Sequence, residues 1–507
     1  MLRSSAHTRA QARKQARSPI SVRAAALLAL GVVFAFVRTT AAATAPGNSP
    51  APTTVAPATP ITFNRDIAPL IFKNCSGCHR PGEVAPFALL TYEDARKRAK
   101  LLAKVVGERF MPPWKADPAV GKFHDVRRLS DAQIALVQNW AAAGAPEGRP
   151  EDLPAAPKFT SDWALGEPDL ILQPTEAFRV EAEGRDVFRA FVLPTGSKED
   201  RHISAIDFRP GNRAVVHHVI AYLDTTGQAR KLQAAATGGP GFATGGGPGF
   251  IGAEWLEGWA PGKIPRHLPE RHGKLIPAGA DVVLQVHYHR TGKAERDQTR
   301  VGLYFTKGPV DHRVHVSRVN SRGLQIPPGE TNFLARGSIP VPAEATVLEI
   351  FPHMHLLGRE MTVTAMLPDG REIGMIHVPD WDYNWQLGYA YETPLKLPRG
   401  SRIDLVARYD NSEQNPRNPN HPPKLVRWGE QTTDEMCIAF LSYTTDAPFR
   451  SNAAVAAAGA KVWQNLSKAL RDELLRRFDK NGDGVLDESE RAEAVRYWQS
   501  LKQGAGK

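Results

Sequence analysis

Two cysteines and a histidine lie close together early in the chain, in the run CSGCH at 75–79. A C-x-x-C-H motif is the attachment signal of a c-type haem: two thioether bonds hold the porphyrin, and the adjacent histidine binds the iron. The other interpretation, a thioredoxin-like dithiol, requires a strand followed by a helix, and the neighbouring residues lack that pattern. The sequence therefore predicts covalent haem on Cys75 and Cys78, with His79 as the proximal ligand.

The sixth iron ligand should be a methionine or a histidine further along the chain. Met111 is the only methionine of this region, and it lies in the run RFMPPW, where two prolines stiffen the backbone. His124 is the alternative. We predict Met111 as the sixth ligand of the haem iron.

A second metal-binding pattern lies near the end of the chain, where DKNGDGVLDESE at 479–490 matches the EF-hand loop. Gly484 allows the sharp turn of that loop. The loop is single, whereas EF-hands usually pair, which favours weak affinity or a structural role. The predicted calcium ligands are Asp479, Asn481, Asp483, Val485 through its carbonyl, Asp487 through water, and Glu490.

Histidines also occur in strand-like runs. AVVHHVIAY at 214–222 contains His217 and His218. Successive side chains of a regular strand point to opposite faces, so both imidazoles can reach one metal only if the strand is locally distorted. In that case we expect one histidine to use Nδ1 and the other Nε2.

Two further runs add histidines and a methionine. DVVLQVHYH at 281–289 alternates, so Gln285, His287 and His289 share one face of the strand. EIFPHMHLLG at 349–358 places His353 and His355 on one face, and TTDEMCIAF at 432–440 contains Met436. Imidazole together with a thioether favours copper, especially Cu(I), over hard cations.

The elements that carry these motifs change in character along the chain. Residues 44–60 form a Pro/Ala/Thr linker. Residues 61–150 are helical in pattern, with Thr91 and Ser130 as helix caps and Gly144 as a helix stop, and together with the C-x-x-C-H motif they predict a small all-α cytochrome c domain. Short alternating runs then predict two antiparallel β-sandwiches, at 160–325 and 326–450. A helix-loop-helix occupies 461–500. The glycine-rich stretch 238–250 lacks the strand and lysine of a phosphate-binding loop.

The beginning of the chain predicts export. Of the 507 residues, the first 38 include seven Arg/Lys and no acid, and an apolar run at 24–37 precedes small residues. This is a secretory signal at 1–43, so we expect a periplasmic or secreted protein with no stable membrane span after cleavage. Much of the net charge of +11 comes from this segment, so the charge does not indicate a nucleic-acid partner. With only three cysteines, the odd one being Cys437, a disulfide framework is excluded.

In chain order, HH in a strand, QVHY, PHMHLLG and DEMC resemble the motifs of the copper type II, ascorbate-dependent monooxygenases. That family includes the peptidylglycine α-hydroxylating and dopamine β-hydroxylating enzymes. The resemblance covers about residues 165–445. It implies two β-sandwich (jelly-roll-like) subdomains, each with one copper site, on a shared solvent-filled cleft.

The resemblance also implies the ligands of both copper ions and the reaction. The electron-transfer copper would be bound by His217, His218 and His287. The oxygen-activating copper would be bound by the catalytic set His353, His355 and Met436. We therefore predict an exported monooxygenase that hydroxylates a C–H bond with dioxygen, using electrons from ascorbate or another reductant, such as a redox donor protein, through the haem domain. The alternative is a non-catalytic haem and copper electron-transfer or copper-binding protein.

The chain differs from the peptide-amidating members at the positions that bind the substrate. In the peptide-amidating members an arginine two residues before the His-x-His pair holds the substrate carboxylate, assisted by an asparagine and a tyrosine after the methionine. Those positions are Phe351, Ile438 and Phe440 here. We predict a small apolar or aromatic substrate, with Trp381, Tyr383 and Trp385 as a possible extension of the pocket wall. The alternative is a pocket set by the loop 238–250.

Overall fold

The computed structural model describes residues 60–159, 163–245, 247–321, 323–445 and 468–479. Chain contacts divide the protein into Met1–Thr59 and Pro60–Lys507, and all described residues belong to the second unit. The predicted signal peptide at 1–43 and the predicted linker at 44–60, apart from Pro60, lie outside the described residues. No helix within the described ranges is both long and apolar enough to cross a membrane.

The first part of the described chain is helical. A π-helical turn at Phe63–Ile67 and a 3₁₀ turn at Pro150–Asp152 flank these helices. The predicted caps are confirmed, because Thr91 and Ser130 each form a capping box. The helical residues after Thr91 form two short helices, separated at residues 97–98. The helices are α1 (Ala68–Asn74), α2 (Tyr92–Arg96), α3 (Ala99–Gly107) and α4 (Asp131–Ala142), followed later in the chain by α5 (Gln228–Ala235) and α6 (Lys468–Phe478).

Most of the regular structure is β-sheet, as the alternating runs predicted. The helices are few by comparison. The strands are β1 (Leu170–Leu172), β2 (Phe178–Val180), β3 (Val187–Pro194), β4 (Arg201–Arg209), β5 (Val216–Asp224), β6 (Phe242–Ala243), β7 (Glu254–Trp259), β8 (His272–Ile276), β9 (Asp281–Tyr288), β10 (Glu295–Asp297), β11 (Arg300–Phe305), β12 (His312–Asn320), β13 (Gln325–Ile326), β14 (Phe333–Pro340), β15 (Ala345–Met354), β16 (Gly358–Met366), β17 (Glu372–Val378), β18 (Tyr389–Leu397), β19 (Arg402–Tyr409), β20 (Val426–Arg427) and β21 (Cys437–Thr445).

One long sheet runs through both halves of the β region, in the order β1-β11-β4-β8-β12-β21-β15-β18. Its halves join where β8 and β12 pair in parallel over two residues. A five-stranded sheet, β6-β3-β9-β5-β7, packs with the first half around one apolar core, and a four-stranded sheet, β14-β19-β16-β17, packs with the second half around another. This arrangement is consistent with two β-sandwiches that share a continuous layer. The predicted boundary at 325/326 lies after β12, which already pairs with β21.

The helical region contacts both halves of the β region. Glu83, in the loop before α2, forms ion pairs with Arg209 at 3.1 Å and Arg213 at 3.2 Å. The segment between α3 and α4 packs into the second apolar core through Ala116 and Phe123. The loop after the C-x-x-C-H segment therefore contacts, through Glu83, the end of β4 and the turn before β5.

Candidate metal centres

Both members of the adjacent histidine pair reach one site because β5 contains a β-bulge. Val216 pairs with Tyr288 and His218 pairs with His287, so His217 is the extra residue of the bulged strand. The bulge rotates the His217 side chain out of the regular alternation. This is the local distortion that the sequence required.

The three histidines of the first group lie within bonding range of one metal ion. His217 Nδ1 is 3.1 Å from His218 Nδ1, and His287 Nδ1 is 3.4 Å from the same atom. Nitrogens that bind one first-row metal at about 2.0–2.1 Å lie about 3–3.5 Å apart at tetrahedral or trigonal angles. The spacing fits such an ion, and no other cluster of three or more His, Cys, Asp or Glu side chains in the described chain meets the same criterion. The two Nδ1 atoms of His217 and His218 face each other, and the expectation that one histidine binds through Nδ1 and the other through Nε2 stays a prediction.

Burial keeps these imidazoles in the metal-binding form. It lowers the pKa of His217 and of His218 well below the ordinary histidine value. The ring of Phe188 stacks on His287 with centroids 4.2 Å apart and fixes its plane. Neutral, oriented imidazoles are good ligands for a transition metal.

The far side of His287 faces a carboxylate that the sequence analysis did not identify. Asp186 Oδ2 lies 3.1 Å from His287 Nε2, at ion-pair distance, and accepts a hydrogen bond from Thr432 Oγ1 at 2.5 Å. Burial opposes the ionisation of Asp186, but contact with His287 and Thr432 lowers its pKa to about 2. A carboxylate behind a metal-binding histidine orients the ring and increases its basicity.

Replacing Asp186 with asparagine should weaken metal binding at the first group roughly 10–100-fold, the usual effect of losing such a partner. The measurement is copper affinity by competition with a chelator, with Glu183→Gln, an exposed acid just before β3, as the matched control. Equal affinities in the two variants would show that Asp186 only packs against His287.

The second group lies at the end of β15. His353 Nδ1 donates to Gln386 Oε1 at 2.6 Å, and His355 Nδ1 donates to the Asp434 carbonyl at 3.1 Å. Each histidine therefore has its Nε2 available for a metal. Burial lowers the pKa of His353 to about 4 and that of His355 to about 3, so both rings are neutral near pH 7.

Met436 is brought to this group by strand register. Met354 pairs with Cys437 and His353 with Ile438, and the same register carried one step further places buried Met436 opposite His355. The register therefore puts Met436 next to His355 at the adjacent ends of two paired strands, and the binding of one metal by His353, His355 and Met436 stays a prediction.

Glu435 fastens those two strand ends together. Its carboxylate accepts hydrogen bonds from the backbone N–H groups of His355 at 2.9 Å, Leu357 at 2.6 Å and Met436 at 3.1 Å. Burial raises the pKa of this carboxyl to about 8 against the effect of those donors. Glu435 is a positioning residue that the sequence analysis did not identify; it stands directly before the apolar run that begins at Met436.

Tyr383 lies between the two groups. Its ring stacks on His217 with centroids 4.7 Å apart and meets His355 edge-on at 5.7 Å. Its hydroxyl hydrogen-bonds Thr432 Oγ1 at 3.0 Å, and Thr432 in turn donates to Asp186. One tyrosine therefore connects a ligand of the first group with a ligand of the second.

The other residues of the predicted aromatic wall have different environments. Trp381 is buried and donates its indole N–H to the His355 carbonyl at 3.1 Å. Trp385 meets Phe110, at the end of α3, edge-on with centroids 6.4 Å apart.

Gln285 of β9 and His289, directly after β9, lie beside the first histidine group but do not belong to it. Gln285 donates to Thr244 Oγ1 at 3.0 Å and to the Gly247 carbonyl at 2.5 Å, so it anchors the glycine-rich loop rather than His287. The His289 ring lies 6.4 Å from His217, and its buried Nδ1 has no hydrogen-bond partner among the described residues.

A cleft opens on the same face of the sheet as the second group. Phe351 pairs with Phe440, two residues before His353 along β15, which is roughly 7 Å in an extended strand. Trp255 of β7 stacks on Phe440 at 4.4 Å. The cleft is small, with a cavity volume of about 20 Å³, and is lined by Trp255, Glu257, Gly258, Lys263, Val316, Glu349, Phe351, Phe440 and Ser442.

The charged side chains at one end of the cleft form ion pairs with one another. Lys263 Nζ binds Glu257 Oε1 at 2.5 Å, and Lys274 Nζ binds Glu257 Oε2 at 2.9 Å. Burial raises the pKa of the nearby Glu349 carboxyl. Of the three positions predicted beside the substrate, Phe351 and Phe440 line this cleft, whereas Ile438 is buried beside His353. The glycine-rich loop does not contribute to its lining.

The C-x-x-C-H segment has the donor arrangement that an iron-binding histidine needs. His79 Nδ1 donates to the Phe87 carbonyl at 3.0 Å, which leaves Nε2 for a metal, and the Phe87 ring lies 4.7 Å from the imidazole. Cys75 and Cys78 are half-buried and free of disulfide. These residues fit a covalently attached haem.

The sixth ligand stays a prediction. Met111 is half-buried after α3, and the His124 side chain is exposed. Met111→Ala should lower the reduction potential of the haem, because methionine ligation raises it, and should remove the sulfur-to-iron absorption band. His124→Ala is the matched control. The opposite result, a change only in the His124 variant, would assign the ligand to histidine.

The predicted calcium loop is described only at its first residue. Helix α6 leads directly into Asp479. The other predicted ligands, Asn481, Asp483, Val485, Asp487 and Glu490, lie outside the described residues.

No protein-family model matches the sequence. Among solved structures, PNGF-II aligns over 54% of this chain and 65% of its own at 8% identity and a TM-score of 0.23. The major capsid protein of bacteriophage PM2 aligns over 56% and 99% at 8% identity and a TM-score of 0.23. Latent PorU from Porphyromonas gingivalis aligns over 52% and 25% at 10% identity and a TM-score of 0.15. Scores of this size carry no argument about function.

Proposed function

We propose that the protein is an exported copper-dependent monooxygenase with a c-type haem domain. The observation that carries the proposal is the pair of histidine groups joined by Tyr383, whose ring contacts His217 on one side and His355 on the other. Two distinct neighbouring sites, one with three imidazoles and one with two imidazoles and a thioether, suit one-electron copper chemistry. The resemblance of the four motifs to the copper monooxygenases supports the same assignment.

The reaction converts a substrate C–H group and dioxygen, with two electrons and two protons, into an alcohol and water. When bound, copper supplies the redox chemistry that makes dioxygen reactive. His353, His355 and Met436 would hold the copper that supplies the oxygen chemistry, and the Met436 thioether would favour Cu(I). His217, His218 and His287 would hold a second copper, which would supply one-electron redox chemistry.

The remaining residues position these ligands. Gln386, the Asp434 carbonyl and Asp186 fix the imidazole rings, and Glu435 holds the ends of β15 and β21 together. The aromatic cleft at Phe351 and Phe440 receives the substrate beside His353. Ascorbate or another reductant would supply the electrons, and Cys75, Cys78 and His79 would hold the haem through which electrons can enter.

The test is turnover of the mature, copper-loaded holoprotein with a reductant. We expect oxygen consumption that matches the formation of a hydroxylated product, and no product when zinc replaces copper. Oxygen reduction without any hydroxylated product, or reversible reduction of haem and copper alone, would favour the non-catalytic electron carrier. The matched control is His312→Ala, which removes an exposed histidine distant in sequence from both groups.

A further inference from the structure

The loop between β19 and β20 contains four buried asparagines, Asn411, Asn415, Asn418 and Asn420. Loops usually lie at the surface, and a buried amide is costly unless it forms hydrogen bonds. Asn411 Nδ2 lies 2.8, 2.9 and 3.0 Å from three backbone carbonyls, and Asn418 Nδ2 donates to Asn411 Oδ1 at 3.0 Å. Asn415 Nδ2 donates to the Asp410 carbonyl at 2.6 Å. These bonds hold the loop in one conformation.

The loop presents Arg417 to Trp381. The backbone N–H of Arg417 donates to Asn415 Oδ1 at 3.0 Å, and its Nη1 donates to the Trp381 carbonyl. Arg417 Nη2 lies 3.8 Å from the carboxylate of Asp380, at ion-pair distance. The backbone N–H of Trp381 donates to the Arg359 carbonyl at 2.9 Å. The peptide groups on both sides of Trp381 are therefore fixed.

The indole of Trp381 in turn fixes the backbone of His355. Trp381 is buried, and its Nε1 donates to the His355 carbonyl at 3.1 Å. Gly358 leaves room for this contact, because a Cβ at that position would lie 2.8 Å from Trp381 Cδ1. The indole can therefore reach His355 only past a residue that has no side chain.

His355 is held at three of its polar atoms. Its backbone N–H donates to Glu435 Oε2 at 2.9 Å, and its Nδ1 donates to the Asp434 carbonyl at 3.1 Å. Its carbonyl oxygen accepts from Trp381. These contacts set the peptide planes and the ring, and they leave Nε2 for a metal. A metal-binding side chain needs this kind of support, because the metal site is only as precise as the groups that orient its ligands.

We propose that Arg417 and Trp381 are positioning residues of the second group, His353, His355 and Met436. Arg417 fixes the Trp381 peptide, and Trp381 fixes the His355 carbonyl, so that the imidazole stays in the orientation that copper binding requires. The inference rests on the proposed copper at the second group. It assigns a role to the buried asparagines, which make the loop rigid enough to hold Arg417 in place.

The test is Cu(I) binding by the full-length, copper-loaded protein. Trp381→Phe keeps an aromatic ring but removes the indole N–H, and Arg417→Met keeps the length of the side chain but removes its donors. Each variant should lower the Cu(I) affinity of the second group about tenfold, in the range usual for losing a group that orients a ligand. Each should also change the EPR spectrum of Cu(II) at that group. Competition with a Cu(I) chelator measures the affinity, and the signal lost in His353→Ala identifies the second group.

Two matched controls remove the same chemical groups elsewhere. Trp140→Phe removes an indole N–H that donates to the Pro146 carbonyl at 3.0 Å in the helical region. Arg402→Met removes an exposed arginine that pairs with Asp404 at 2.8 Å. Both controls should keep the wild-type affinity and spectrum. Arg417→Lys keeps a charged donor and should retain more of the Cu(I) affinity than Arg417→Met.

The outcomes distinguish this inference from the proposed function. A wild-type protein whose second group binds no copper would overturn the copper assignment itself. Copper at both groups, with unchanged Cu(I) affinity and EPR spectrum in Trp381→Phe and Arg417→Met, would overturn the positioning role while leaving the copper in place. An equal loss of affinity in Trp140→Phe would also overturn it, because the effect would then reflect lower stability of the whole protein.

Discussion

Replacing His287 with alanine is expected to halve the copper content of the protein and to stop turnover. His287 Nδ1 lies 3.4 Å from His218 Nδ1, so its loss leaves two nitrogens for the first ion. The second group keeps its own ligands, and its rings are oriented by Gln386 and the Asp434 carbonyl. Copper analysis of purified protein, together with product formation, measures both effects.

The complementary variants distinguish the two sites. His353→Ala should also halve the copper content, whereas Met436→Ala should weaken Cu(I) binding far more than Cu(II) binding, since a thioether is a poor ligand for the harder ion. His312→Ala should change none of these quantities. Loss of both copper ions in His287→Ala would show that the two groups form one shared site, and the assignment of separate roles would be wrong.

The grouping of the candidate ligand histidines could be expected from the sequence because their motifs are local. Adjacent histidines in a β-branched run, and a His-x-His pair on one strand face, are visible in the sequence whatever the fold. The bulge at His217 was required by that pattern and is confirmed by the register shift between Val216 and His218. Which ring nitrogens bind a metal depends on side-chain rotation, which the sequence does not fix.

The residues that orient the ligands were not predictable in this way. Asp186 precedes β3, Thr432 precedes β21, and Gln386 lies in the connection before β18, so each comes from a different element. Their contacts depend on long-range strand pairing, which leaves no local spacing in the sequence. Glu435 follows the polar residues Thr432, Thr433 and Asp434, so its burial and its backbone donors could not be read from the sequence either.

The sheets also combine features that the sequence predicts locally with pairings that it does not predict. Alternation along each run predicts that a strand forms and which face is buried, and the strands are observed. It does not predict that β8 and β12 pair in parallel, so that one sheet extends through both halves. Nor does it predict that Phe123 of the helical region bridges to Tyr391 and fills the second apolar core.

The second large effect concerns the substrate. A small aromatic or aliphatic compound should be turned over at least roughly a hundredfold more efficiently, in kcat/KM, than a glycine-extended peptide. The cleft beside His353 offers Phe351 and Phe440 to the substrate, and Trp255 stacks behind Phe440. Burying a carboxylate without a partner costs several kcal/mol, and each 1.4 kcal/mol is a factor of ten.

The lysines near the cleft are not available to form an ion pair with the carboxylate of a peptide substrate. Lys263 and Lys274 are both bound to Glu257, and Glu349 adds another carboxyl beside Lys263. Phe351→Arg, which places a guanidinium two residues before His353, should therefore increase turnover of the peptide and reduce that of the aromatic substrate. Phe351→Leu, which keeps the position apolar, should not activate the peptide. Efficient hydroxylation of the peptide by the wild-type protein, or no gain in Phe351→Arg with copper content unchanged, would place the substrate elsewhere than this cleft.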